Sequence, residues 1–346
     1  MSSTPLKAAA LLELTGGIAS DRSVKNTMGY YWTVTQSKLF TPLSVYDTMG
    51  SLDKTLELLN KYYSEGYRIF IGFSRSTILA GCLEWFNTHP EAIGISISSS
   101  ANSLAIDKSI YRLQIVDSFT IDAINVPLEE TINNNGKIFY IYSENEVATQ
   151  ELYDILKETY GETNIIPYAA NSTNLTLENV NTFFYVDNSV SANDTVVLYL
   201  FAGDQRQAYV NLFTTTNNLS IPANQYDLTS GGLPELDNEK TTLTNTYYVL
   251  GLENIINSKL FDEGASYLGK QFSTNTLNAL YLAQSLMYKS NINNIFSYAG
   301  TLQFNEYKDI KYGSSKLYKY INPNYNGVSV YTDDPLYGKL TLYKVN

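Results

Sequence analysis

The sequence holds one cysteine, Cys82, and one histidine, His89. A single cysteine excludes an internal disulfide. The two residues together are too few for a Cys/His metal site, and no Ser-His-Asp set can be built around a lone histidine at a proline boundary. Cys82 lies in "STILAGCLEWF", which reads as a packed helix with a buried, inert thiol. His89 precedes Pro90 in "NTHPE" and reads as a helix end on a surface turn, not a metal ligand. Neither GxGxxG nor GxxxxGKS/T occurs, so dinucleotide and P-loop nucleotide chemistry lose their simplest support. The carboxylates show no calcium-loop spacing. No enzyme activity, metal or cofactor is expected.

Positive charge is scarce too. Lys and Arg number 23 against 34 Asp and Glu, for a net charge of −11, which argues against binding a nucleic-acid backbone. The clearest basic window, "KYGSSKLYKYINP" from Lys311, holds three lysines among tyrosines. Long apolar runs are missing as well. The run in "MSSTPLKAAALLELTGG" falls short of a secretory h-region and of the roughly 20 residues of a membrane span. No membrane insertion is expected. The expected compartment is the cytoplasm or a virion unless a signal has been removed, in which case it is extracellular or periplasmic.

Tyrosine and asparagine are abundant. The 30 tyrosines can line a ligand cleft or an interface, since Tyr is amphipathic, and a homo-oligomer or protein partner through a Tyr-rich surface is one expectation. A biased genome gives the same enrichment with no function attached. Asn171, Asn174, Asn193 and Asn218 each open an Asn-x-Ser/Thr triplet, which chance supplies in such a composition.

With 346 residues, 44% of them hydrophobic, the chain can build a sizeable core in two lobes. Short apolar runs alternate with helical ones. "KAAALLEL", "FTPLSVYDT", "RIFIGF" and "AIGISIS" read as strands. "DRSVKNTMGYYWTVTQ", "LDKTLELLNKYYSEG" capped by Ser51 and stopped at Gly66, and Ser74 to Phe86 read as helices. A second series follows about residue 120: "GKIFYIYS", "NIIPYAA", "DTVVLYLF" and "TNTYYVLG" as strands, "VATQELYDILKETYG", "GDQRQAYVNLFTTT" and "STNTLNALYLAQSLMYKS" as helices. "AGTLQFNEYKD" and "KLTLYKV" are late strand-like runs. Repeated strand–helix–strand units predict an α/β fold with parallel sheets, whose ligands sit beyond the carboxyl ends of strands. "IGFSRST" and "ISISSSANS" are segments of that kind. The latter opens a question, because five short polar side chains after a strand can cradle a small ligand or simply close a turn.

The order of these segments resembles the type I periplasmic binding proteins, in their leucine/isoleucine/valine, amide and urea binding branch and related receptor ligand-binding regions. "LTGGIAS" resembles the first strand–loop, and "VYDTMGSLDKTLELLNKYYSEG" an Asp-Thr-x-Gly-Asp helix opening. "ISISSSANSLAIDKSIYRLQIVDS" resembles a Ser-Pro-Ala-Ala-Thr segment followed by an aromatic–Arg pair, here Tyr111-Arg112. "KIFYIYSENEVATQELYDILKETYG", "DTVVLYLFAGDQRQAYV", "TLNALYLAQSLMY" and "AGTLQFNEYKDI" extend it through the second half. The resemblance implies two Rossmann-like lobes with parallel central sheets joined by a three-crossing hinge. Lobe 1 would hold residues 1–120 and 250–300, and lobe 2 residues 121–249 and 301–346.

It further implies a non-catalytic bilobal binding protein that closes on a small polar ligand, an amino acid, amide or related anion. The alternative is a structural or interaction protein, such as a virion or surface component, that keeps the fold without a working pocket. The matching ligand positions are Ser74, Ser98, Ser100 and Asn102, with Thr229 and Ser230, beside Asp227, in the later stretch "YDLTSGG". Asp47, Arg75, Arg112 and Val147 are cleft or hinge candidates. Each has a plainer role: the serines cap helices, Asp47 supports a turn, Arg75 lies on a helix start and Arg112 anchors a lobe edge. Val147-Ala148 stands where the family has Tyr-Gly, which removes an aromatic ligand contact, and Glu144 and Glu146 beside it are expected to face solvent. Of the adjacent aromatics Tyr30, Tyr31 and Trp32, at least one is expected to be exposed, with Trp32 in core or interface.

Overall fold

The computed structural model describes residues 5–15, 24–26, 28–29, 43–105, 109–114, 117–122, 124–200, 203–213, 217, 219–228, 246–252, 274–288, 295–297, 300–302, 304, 308, 314–321 and 341–344. The chain divides into two compact units. Unit 1 comprises Met1–Val116 and Glu253–Gly313, and unit 2 comprises Asp117–Leu252 and Ser314–Asn346, so the chain passes between them three times.

Unit 1 begins with β1 (Lys7–Leu12), buried along its last five residues. Such a run without polar alternation is what a strand covered on both faces requires. It pairs in parallel with β2 (Ser44–Asp47) and, after α1 (Leu52–Ser64), with β3 (Tyr67–Gly72). Ser51 caps α1 by accepting from the Lys54 amide at 3.3 Å. The helix buries Thr55, Leu58, Leu59 and Tyr62, a stripe of period 3.6. Helix α2 (Ser76–Thr88), β4 (Ile93–Ser96) and β5 (Ile110–Arg112) complete a parallel sheet of order β2-β1-β3-β4-β5. Helices α1 and α2 pack closely enough that a Cβ on Gly81 would come within 2.4 Å of the Leu52 side chain. Cys82 is fully buried on α2, and burial pushes its thiol up to about 12. His89 ends α2 and stacks on Trp85 with ring centroids 4.2 Å apart.

Unit 2 opens with α3 (Asp117–Asp122) and α4 (Asn125–Asn133). It continues through β6 (Ile138–Ser143), α5 (Val147–Tyr160) and β7 (Ile165–Ala170). Helix α6 (Leu177–Asn181) follows, running into a π-helical turn over Thr182–Asp187, then β8 (Thr195–Tyr199), α7 (Gly203–Asn211), β9 (Asn224–Asp227) and β10 (Thr246–Leu252). The turn-rich stretch before α6 is ordered by asparagines. Asn171 Oδ1 accepts from the Thr173 and Asn174 amides, and Asn174 Oδ1 accepts from the Asn171 amide at 2.8 Å. Phe139, Ile141, Phe184, Val196, Leu198 and Tyr209 form the centre of this unit's core. Edge strand β7 carries Pro167, which blunts pairing with a further strand.

The chain then returns to unit 1 as α8 (Thr274–Met287), packed on β1, β3 and β4, and as the hairpin β11 (Ile295–Ser297) and β12 (Gly300–Leu302). It ends in unit 2, where β13 (Ser314–Ile321) adds antiparallel to β10 and β14 (Thr341–Lys344) antiparallel to β13. The basic window around Lys316 is thus strand β13. The second sheet has order β14-β13-β10-β9-β8-β6-β7, parallel from β10 to β7. The chain leaves unit 2 at Leu252 and re-enters it at Ser314, two residues paired across β10 and β13. Among the described residues no helix is long and apolar enough to cross a membrane.

Candidate functional site

The carboxyl ends of β1 to β4 in unit 1 gather most of the residues singled out above. The loop after β3 has unusual backbone. A Cβ at Gly72 would fall 1.9 Å from the Leu11 carbonyl oxygen, so only glycine fits between the strands there. Phe73 then adopts φ +54, a left-handed conformation that costs a bulky residue about 1–3 kcal/mol. The serine run holds this turn. Ser96 Oγ donates to the Phe73 carbonyl at 3.0 Å, and Ser99 Oγ donates to the same oxygen. Ser98 Oγ donates to the Ser74 carbonyl at 3.1 Å. In return, Ser76 Oγ accepts from the Ser100 and Ala101 amides at 3.1 and 3.2 Å. The hydroxyls of Ser96, Ser98 and Ser99 therefore tie one strand-end loop to the next.

Arg112 completes this lattice. It is 1% exposed, its Nη1 donates to the Ala101 carbonyl, and its own amide donates to the Lys308 carbonyl at 3.0 Å. Asp47 organises the neighbouring loops. Its Oδ1 accepts from the Leu14, Thr15 and Met49 amides at 3.0, 3.2 and 2.9 Å, and its Oδ2 from the Thr15 hydroxyl. Burial alone would raise the Asp47 carboxyl, but the Thr15 hydroxyl and these amides outweigh it and hold it below the ordinary 3.8.

Between these loops lies a small polar hollow lined by Leu11, Glu13, Thr48, Thr55, Phe73, Ser74, Arg75 and Ile78. Its free volume of about 10 Å³ admits one water-sized group. Sequence reasoning missed Glu13, which is 4% exposed and sits directly after β1. The available signal was an acid ending an otherwise apolar strand in "KAAALLEL". Ser74 and Arg75 meet at this hollow, whereas Ser98 lies one loop away on the Ser74 carbonyl. Asn102 is half-buried at the start of a 3-10 turn, Asn102–Leu104.

The corresponding edge of unit 2 holds a buried charge pair and several phenol and hydroxyl hydrogen bonds. Arg206 on α7 and Asp227 at the end of β9 are both buried. Arg206 Nε donates to Asp227 Oδ2 at 2.9 Å, and Nη2 lies 2.8 Å from the same oxygen. Tyr199 donates to Asp117 Oδ1 at 2.8 Å, Tyr209 to Gln225 Oε1 at 2.7 Å and Ser143 to Gln205 Oε1 at 2.6 Å. Desolvation, with the Asp227 charge second, raises the Tyr209 phenol well above its ordinary value, so it stays a neutral donor. Val147 is half-buried at the first position of α5. Glu146, expected to face solvent, is instead 4% exposed at the N-terminal cap position of α5; Glu144 is exposed and accepts from Asn171 Nδ2. Thr229 and Ser230, with Tyr30, Tyr31 and Trp32, lie outside the described residues. Among the described residues no three His, Cys, Asp or Glu side chains are grouped to hold a metal ion.

No protein-family model matches the sequence, and no curated protein matches it. Solved structures do match, across nearly the whole chain. A branched-chain amino acid transporter substrate-binding protein from Streptococcus pneumoniae, in complex with isoleucine, is similar over 99% of this chain and 100% of that chain, with TM-score 0.70 and 12% identity. A solute-binding protein of an ABC transporter from Rhodopseudomonas palustris, in complex with 3,4-dihydroxybenzoic acid, is similar over 91% and 93%, with TM-score 0.68 and 13% identity. A leucine-binding protein from Thermotoga maritima is similar over 91% and 95%, with TM-score 0.64 and 14% identity. All three are binding proteins by name, and the architecture shared with them is that of the α/β solute-binding proteins. More specifically, this chain has the type I periplasmic binding protein fold.

Proposed function

We propose that this chain is a non-catalytic binding protein for a small polar molecule, an amino acid, an amide or a related anion. The observation that carries the reading is the hollow of unit 1. Glu13, Thr48, Ser74 and Arg75 converge at the carboxyl ends of β1, β2 and β3, where parallel α/β sheets receive ligands. The likeness to isoleucine- and dihydroxybenzoate-bound proteins over 91–99% of the chain supports it. A thermal-unfolding screen with amino acids, amides, ureas and small anions tests it. A ligand at roughly a hundredfold excess over its Kd adds about 2.7 kcal/mol of stability, enough to raise Tm by several degrees. Solution scattering with and without such a ligand reads the hinge closure that the resemblance implies.

A second reading, an interaction protein that keeps the fold without a working pocket, has its own support. Ser96, Ser98 and Ser99 direct their hydroxyls to backbone carbonyls, and Asp227 is matched by Arg206. A Tm unmoved across the panel at millimolar concentration favours this second reading over the first.

A further inference from the structure

We propose that Met49 is a selective oxidation site: a peroxide converts its thioether to the sulfoxide and spares the methionines of the core. The inference is independent of the ligand reading above. The sequence holds four methionines, of which Met1 lies outside the described residues. Met28 and Met287 are 4% and 6% exposed, whereas Met49 is 57% exposed. Methionine oxidation needs the oxidant to reach the sulfur, so the fold sets this methionine apart from the other two.

The exposure is built into the backbone. Met49 and Gly50 are the central residues of the turn Thr48–Ser51, which the Ser51 amide closes by donating to the Thr48 carbonyl at 3.0 Å. Both have positive φ, +57 and +66, the pattern of a type I′ turn, where Gly, Asn and Asp dominate. The turn is held from both sides. The Met49 amide donates to Asp47 Oδ1 at 2.9 Å, and the Thr48 amide donates to the Leu12 carbonyl at 2.8 Å. A Cβ on Gly50 would fall 2.4 Å from Glu13 Oε1, so the turn packs directly on that side chain. Burying the thioether would mean giving up these contacts. The reaction moves one oxygen atom. The peroxide O–O bond breaks, an S–O bond forms on Sδ, the thioether loses two electrons, and hydrogen peroxide is reduced to water. The product is a polar, chiral acceptor on a turn whose Thr48 lines the unit 1 hollow. Because the Met49 side chain lies outside the core, oxidation changes this edge and leaves the core packing intact.

The test treats the full chain with dilute hydrogen peroxide at neutral pH and follows each methionine by peptide mass mapping. In the native protein Met49 is expected to gain oxygen at least about fivefold faster than Met28 and Met287, and in concentrated urea the three rates should converge to within about twofold. Protein oxidised at Met49 alone should melt within about 2 °C of untreated protein, as surface changes do. A methionine sulfoxide reductase should restore the thioether without denaturant. A smaller ratio in the native protein, a ratio that persists in urea, or a Met49 sulfoxide that unfolds the chain overturns the proposal.

Discussion

Units 1 and 2 meet the same structural demand by different chemistry. In both, strands of a parallel sheet end in loops whose polar groups must be satisfied near the core. Unit 1 uses short hydroxyls and backbone: Ser96 and Ser99 on the Phe73 carbonyl, Ser76 beneath the Ser100 and Ala101 amides. Unit 2 uses long side chains in pairs: Arg206 with Asp227, Tyr199 with Asp117, Tyr209 with Gln225. Short side chains leave room, and a hollow remains beside them at Glu13 and Arg75. The difference teaches that one architecture can satisfy its strand ends either through backbone tied by serines or through side chains tied to one another.

The largest effect should come from breaking the unit 2 pair. Arg206→Ala leaves Asp227 buried without its cation and is expected to cost about 3–5 kcal/mol, read by urea unfolding. The double variant Arg206→Met with Asp227→Leu should recover most of it, because the cost lies in the orphaned charge. In unit 1, Ser76→Ala removes the acceptor of two backbone amides and should cost about 1–3 kcal/mol. Ser96→Ala should cost somewhat less, about 1–2 kcal/mol, since Ser99 still donates to the Phe73 carbonyl while the buried Ser99 amide loses Ser96 Oγ as its acceptor.

Asp47 gives a pH signature. Its folded-state carboxyl lies below the ordinary 3.8, so its contribution is fully present above that value and is lost as pH falls through the lower, folded one. Asp47→Asn should remove that part of the acid slope, and acid titration of stability for the two proteins reads it. The smallest effect is a silence. With its thiol pushed up to about 12, Cys82 should not react with iodoacetamide at pH 8 until urea unfolds unit 1.

Local signals in the sequence carried much of the fold. Ser51 caps α1 and Gly66 follows its end at φ +88, each as its residue type suggests. Apolar runs such as "RIFIGF" and "DTVVLYLF" became strands buried on both faces, because composition alone demands it. The site was less legible. The serine run was visible, but its bonding was not, since the acceptors at Phe73 and Ser74 stand 23 to 26 residues away. Glu13 and Arg206 were missed for the same reason. Their meaning lies in partners brought close by the sheet, Gly50 for one and Asp227 for the other, and no periodicity encodes that.

The most direct measurement is amide NMR of the full chain titrated with whichever panel member raises Tm. Binding at the unit 1 edge predicts that the Glu13, Thr48, Ser74 and Arg75 amides shift first and saturate with the same Kd as the thermal effect. A stabilising ligand that leaves those four amides unmoved would contradict the account.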